Sequence, residues 1–185
     1  MALQHYTVLK GIEDAGIYAL TADTVSALTY GAKVDITGIE EITITMESES
    51  SEIKGDDVVI DSRGKIQKAT VKVRAARFDL DVWGKVFGSS TVDAGTTPNQ
   101  TATLTISGSD TPPKFKIAGR CRQVDAGIAD VHFTIFKCSY TGGGEVSLQT
   151  DEYAELNFEA DAVVTINNNK IVEVIEHETL TALPA

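Results

Sequence analysis

Glu41-Ile42-Thr43-Ile44-Thr45-Met46-Glu47-Ser48-Glu49 sets an apolar side chain at every second position from 42 to 46, with threonine and glutamate between. Successive side chains of an extended chain point to opposite faces. The alternation therefore writes a strand with one buried face, Ile42, Ile44 and Met46, and one wet face, Thr43, Thr45, Glu47 and Glu49. The same period returns at Ala69, Val71, Val73 and Ala75, set against Lys68, Thr70, Lys72 and Arg74, so the second strand has a basic polar face. Opposite charges suit antiparallel neighbours, each cross-strand pair adding roughly 0.2–1 kcal/mol. Two separately solvated faces would satisfy the same pattern.

Working outward, further strands read at Ala102, Leu104 and Ile106, at Phe115 and Ile117, and at Val131, Phe133 and Ile135. Others follow at Ala154, Leu156, Phe158 and Ala160 and at Ile171–Ile175. Asp110-Thr111-Pro112-Pro113, Gly142-Gly143-Gly144 and Asn167-Asn168-Asn169 punctuate them as turns. This rhythm predicts a mainly β fold, two packed antiparallel sheets forming a sandwich or barrel. One segment departs from it. Leu80, Trp83 and Phe87 recur at helical steps with Gly88 placed to end the turn, which predicts one short flanking helix over about 79–87. Its stripe would cap the sheets and bury the only Trp. Gly84 weakens the helix intrinsically. Between the two charged strands, residues 48–65 run as a polar stretch, then Val58-Val59-Ile60, then Asp61-Ser62-Arg63-Gly64, and read as a long loop, the place to look for function.

The 185 residues suit a single domain, able to bury roughly 70% of its unfolded surface. A 42% hydrophobic and 23% charged composition is that of a globular chain, and the ends, 1–10 and 179–185, read as flexible arms. The net charge of −11 opposes adhesion to nucleic acid or anionic membrane. An acidic wall still suits DNA that must slide past without sticking. Cys121 and Cys138 lie outside any metal or redox spacing and read as free buried thiols. Met1–Gly11 lacks a charged start followed by an apolar run, and no stretch approaches roughly 18 apolar residues, so a cytoplasmically made, unprocessed protein is expected. Asn99-Gln100-Thr101 matches a glycosylation acceptor by chance in that setting.

Chemistry is hard to find. His5, His132 and His177 have no zinc spacing. Asp56-Asp57 and Asp79 with Asp81 are paired acids without a helper constellation. Gly142-Gly143-Gly144 lacks the following Lys-Ser/Thr and helix of a phosphate cradle. No nucleophile elbow or Rossmann fingerprint appears, so neither catalysis, a cofactor nor a metal is expected.

From Ile12 to Thr179 the order of features resembles the major tail tube proteins of long-tailed, non-contractile bacteriophages. The pieces are the strand Ile42–Met46, the stretch Glu52-Ile53-Lys54-Gly55-Asp56-Asp57, the strand Thr70–Ala75 and the helix ending Phe87-Gly88. Pro112-Pro113-Lys114-Phe115, Phe136-Lys137-Cys138 before Tyr140-Thr141-Gly142, and Tyr153–Glu159 complete the set. No single piece is specific; the order carries the resemblance. It implies a structural virion protein of the tail, six copies forming a ring and rings stacking into a hollow tube for genome ejection. The partners implied are further copies and the tip, tape-measure and terminator proteins, with double-stranded DNA passing non-specifically and no membrane. It also implies that Glu52, Lys54, Gly55, Asp56 and Asp57 touch the next ring or subunit. Glu47 and Glu49 are the expected lumen carboxylates, moderated by Lys68, Lys72 and Arg74, which could instead bind a neighbour. The competing readings are the inner tube of a contractile injection system and a monomeric β-sandwich binding module of a virion or cell surface.

Overall fold

The computed structural model describes residues 9–55, 58–123, 130–145 and 154–184. In chain order the elements are β1 (Leu9–Asp23), β2 (Leu28–Asp35), β3 (Ile39–Gly55), β4 (Val58–Ala75), α1 (Leu80–Phe87), β5 (Thr91–Ala94) and β6 (Thr101–Leu104). They continue with β7 (Lys114–Gln123), β8 (Asp130–Glu145), β9 (Leu156–Val163) and β10 (Val172–His177). The fold is mainly β, with one short helix and two antiparallel sheets, one large and one small, as the alternation predicts.

The large sheet runs in the order β2-β1-β7-β8-β9-β4-β3, and β10 pairs with the first half of β8, while β5 and β6 form the small sheet. β1 stands near one end of that order and β3 at the other, yet they touch, with Ile12 and Ile42 both reaching the space over Gly119. The large sheet therefore curls over on itself, and its two halves supply both walls of the core. Ile17, Ile117 and Ile135 come from β1, β7 and β8; Val71, Val73 and Phe158 come from β4 and β9. Phe115 meets Phe158 edge-on across the core at 6.3 Å. Each wall is the apolar half of a period-two pattern, turned away from water at about 25 cal/mol per Å² buried.

The helix forms where expected. Asp79 accepts hydrogen bonds from the Asp81 and Val82 amides at its N-terminus, and Gly88, at φ 82°, closes its C-terminus in the left-handed region. The buried face differs from the expected stripe. Val82 and Val86 are sealed in the core, whereas Leu80, Trp83 and Phe87 are half-buried. Trp83 lies tilted between Phe78 and Phe87, and Phe87 meets Tyr140; Trp83 and Phe87 pack against the core from its half-buried margin. Gly84 has a packing reason: a Cβ there would stand 2.7 Å from the Ser89 carbonyl oxygen.

Three further expectations change. Residues 48–55 and 58–65 are not a loop, because β3 and β4 stay paired out to Gly55 and Val58. Gly142–Gly144 lie within β8, opposite β9, and not in a turn between strands; positive φ at Gly142 and Gly143 accompanies a shift of register there. Residues 179–184 are docked, with Leu183 buried against Tyr18 and Ala118, so the C-terminal segment is a strap and not a free arm. Leu9 and Lys10 already belong to β1; the rest of the expected N-terminal arm lies outside the described residues. Both cysteines are free, Cys138 buried and Cys121 half-buried.

Candidate assembly surface

The two charged strands do pair, with Glu47 opposite Lys68, Thr43 opposite Lys72 and Glu41 opposite Arg74. The other side of β4 decides the electrostatics. β9 pairs with Lys68–Ala75 and brings an acidic row, Glu159 and Asp161, continued by Glu155 just before the strand. Lys68 Nζ lies 3.0 Å from Asp161 and 3.4 Å from Glu47, and Lys72 lies 2.6 Å from Glu159. Arg74 reaches Glu155 at 2.8 Å and Glu40 at 3.2 Å. The basic row is thus held between two acidic rows of its own subunit.

These contacts tune the charges. Hydrogen bonding to Asp161 raises the Lys68 pKa, and hydrogen bonding to Glu155 raises that of Arg74. The same pairing lowers Glu155. Burial alone would raise Asp161, but hydrogen bonds from Lys68 and Thr70 outweigh it and hold the carboxyl below its ordinary value. Glu49 accepts from Gln67 and Glu47 from Thr70, so both expected lumen carboxylates are exposed acceptors on the wet face. Lys68, Lys72 and Arg74 share that face, engaged within the subunit.

Beyond Lys68, β4 loses β9, and among the described residues the backbone ladder of 48–55 and 58–66 joins these two segments to each other. At roughly 3.3 Å per residue, 48–55 form a ribbon about 26 Å long. Such a ribbon is marginal alone in water. At its root Met46 and Ile66 are 48% and 51% exposed, against the expectation that Met46 is buried. Glu52 is exposed on the ribbon, opposite Ser62; Lys54 pairs with Val59 and Gly55 with Val58 along the backbone. Asp56 and Asp57 lie outside the described residues. The ribbon joins the Glu52–Gly55 group to Glu47 and Glu49 on one element, while Leu80, Trp83 and Phe87 stand apart on α1.

Sequence reasoning missed the acidic row of β9, although Glu155, Asn157, Glu159 and Asp161 alternate with Leu156, Phe158 and Ala160 in the chain. It also missed an apolar cleft of about 460 Å³ at one end of the curled sheet, walled by Ile12, Ile42, Ile44, Cys121 and Phe133 with Glu40 and Glu41 at its rim. Among the described residues no group of three or more His, Cys, Asp or Glu side chains converges to hold a metal, and no helix is long and apolar enough to cross a membrane. No protein-family model matches the chain, and no curated protein matches it either.

Proposed function

We propose that this chain is a structural subunit that assembles with its own copies into stacked rings, a tail-tube-like conduit through which double-stranded DNA passes, and that it has no catalytic role. The supporting observation is the β3–β4 ribbon, which among the described residues has no third strand in its ladder and continues β3, the last strand of the large sheet's order. A long unpaired edge is an invitation to pair with another chain, and assembly satisfies it. The paired rows of the β3-β4-β9 face fit a lumen. Cations paired with acids of their own subunit are less available to phosphates, and Glu49, which among the described residues has no cation beside it in the ion pairs of this face, adds repulsion that keeps DNA sliding. Location in a virion tail, after synthesis in a bacterial cytoplasm, belongs to the same proposal.

Negative-stain electron microscopy and light scattering across concentration test it, comparing the full chain with a variant in which residues 50–63 are replaced by a two-residue turn. Hollow tubes or rings from the full chain, lost in the shortened one while its far-ultraviolet dichroism stays β-rich, are the expected result. A monodisperse monomer from the full chain at every concentration would overturn it. The apolar cleft between β1 and β3 favours one second reading, a monomeric binding module taking an apolar ligand. That reading predicts the monomer.

A further inference from the structure

Independently of assembly, the outer face of β1, β7, β8 and β10 carries a polar cluster that nothing above uses. The C-terminal strap, residues 179–184, closes over it. Thr181 is held at both backbone groups: its amide donates to Asp130 Oδ2 at 2.9 Å, and its carbonyl lies 3.0 Å from His132 Nε2 and 3.5 Å from Arg120 Nη1. Beyond it Leu183 plugs against Tyr18 and Ala118, and the Pro184 carbonyl accepts from the Tyr18 hydroxyl at 2.5 Å. Asp130 is wholly buried and His132 is 5% exposed.

The seal is imperfect. Asp130 Oδ1 and Arg120 Nε are buried without a hydrogen-bond partner, so opening the strap returns two polar atoms to water and offsets part of what docking gains. The imidazoles of His132 and His177 stand 4.3 Å apart, and the Arg120 guanidinium borders the same strap residue as His132. A proton on His132 therefore sets its charge beside the Arg120 guanidinium and the His177 ring under the strap. The opposing charges are Asp130 on β8 and Glu13 on β1, and Glu13 is already shared between Arg120 and Arg122.

We infer that the strap is an acid-released latch, in which protonation of His132, the ring against the Thr181 carbonyl, lifts residues 179–184 and uncovers Tyr18, Ala118 and the polar cluster. The sign agrees with linkage. Burial dominates at His132 and pushes its imidazole below the ordinary 6.5, with the Thr181 contact opposing. Lifting the strap returns the ring to water and relieves that larger effect at the loss of the smaller, so docking is expected to be full above that value and to weaken as pH falls through it.

Hydrogen exchange at the Thr181 amide reads the latch directly, as a protection factor corrected for intrinsic rate and referred to β7 amides in the same sample. In the full-length wild type this ratio is expected to fall about tenfold between about pH 7.5 and about pH 5.5. His177→Gln removes one charge from the half-buried side and is expected to flatten the fall; His132→Gln, if it folds, flattens it further. Equal protection at the two pH values would overturn the latch. So would an undiminished fall in both variants, which would assign the titration to the carboxylates.

Discussion

At the scale of single residues, two side chains have roles that their neighbours in sequence do not announce. Asp79 closes the amino end of α1 by accepting from two backbone amides, so Asp79→Ala is expected to cost about 1 kcal/mol, read as a lower urea midpoint with an unchanged slope. Gly84 is needed for what lies across from it. A methyl group there meets the Ser89 carbonyl at 2.7 Å, and Gly84→Ala is expected to destabilise by about 1–3 kcal/mol even though alanine is the better helix former. The thiols also separate by environment. Burial pushes both Cys138 and Cys121 above the ordinary thiol range, Cys138 much further. A thiol-specific reagent is expected to modify Cys121 slowly in the native protein and Cys138 only after unfolding.

At the scale of elements, the β3-β4-β9 ladder makes stability depend on pH in a defined direction. Glu155 and Asp161 have carboxyls held below their ordinary values of 4.5 and 3.8, so the unfolded chain takes up protons first as pH falls. Their contribution is complete above about pH 5 and declines through the acid range below it. Urea melts in that window should show the decline, and Asp161→Asn, whose amide no longer carries the charge, should reduce its steepness. Glu155 is solvent-facing, so its share is screened and smaller. The ribbon, past the end of the β4-β9 register, is held by a two-stranded ladder among the described residues. Its amides are expected to exchange faster than those of the β4-β9 register while the chain is monomeric, and to gain protection on assembly.

At the scale of the whole molecule, the proposed lumen depends on carboxylates outnumbering free cations. Glu47→Lys combined with Glu49→Lys changes exposed side chains on the wet face and should leave the fold intact. Tubes of this variant are expected to retain double-stranded DNA at low salt and release it as salt rises, whereas wild-type tubes retain none. Retention by neither would remove the wet face of β3 from the lumen.

Much of this architecture is local and was legible in the chain. The period of two at 41–47 and 68–75 marks each strand without knowledge of its neighbours, because alternation is a property of extended backbone meeting water on one side. The helix and its closing Gly88 are local in the same way, whereas Asp79, read as half of an acidic pair, turned out to be its N-terminal cap. The ribbon escaped for the converse reason: residues 48–52 and 62–66 are exposed on both faces, so no alternation records them, and backbone pairing between β3 and β4 makes them a strand pair. The buried choice of Val82 and Val86 over Leu80, Trp83 and Phe87 followed from where the helix lands on the curled sheet. Partner choice lay furthest out of reach. Lys68, Lys72 and Arg74 could be read as basic, but that they answer to Asp161, Glu159 and Glu155 depends on β9 folding back beside β4. Likewise, Thr181 to Pro184 read as a loose end until Asp130, His132 and Tyr18, distant in the chain, came together to hold them. Water sorts side chains residue by residue, whereas charge pairing and strap docking require the whole chain to have closed first.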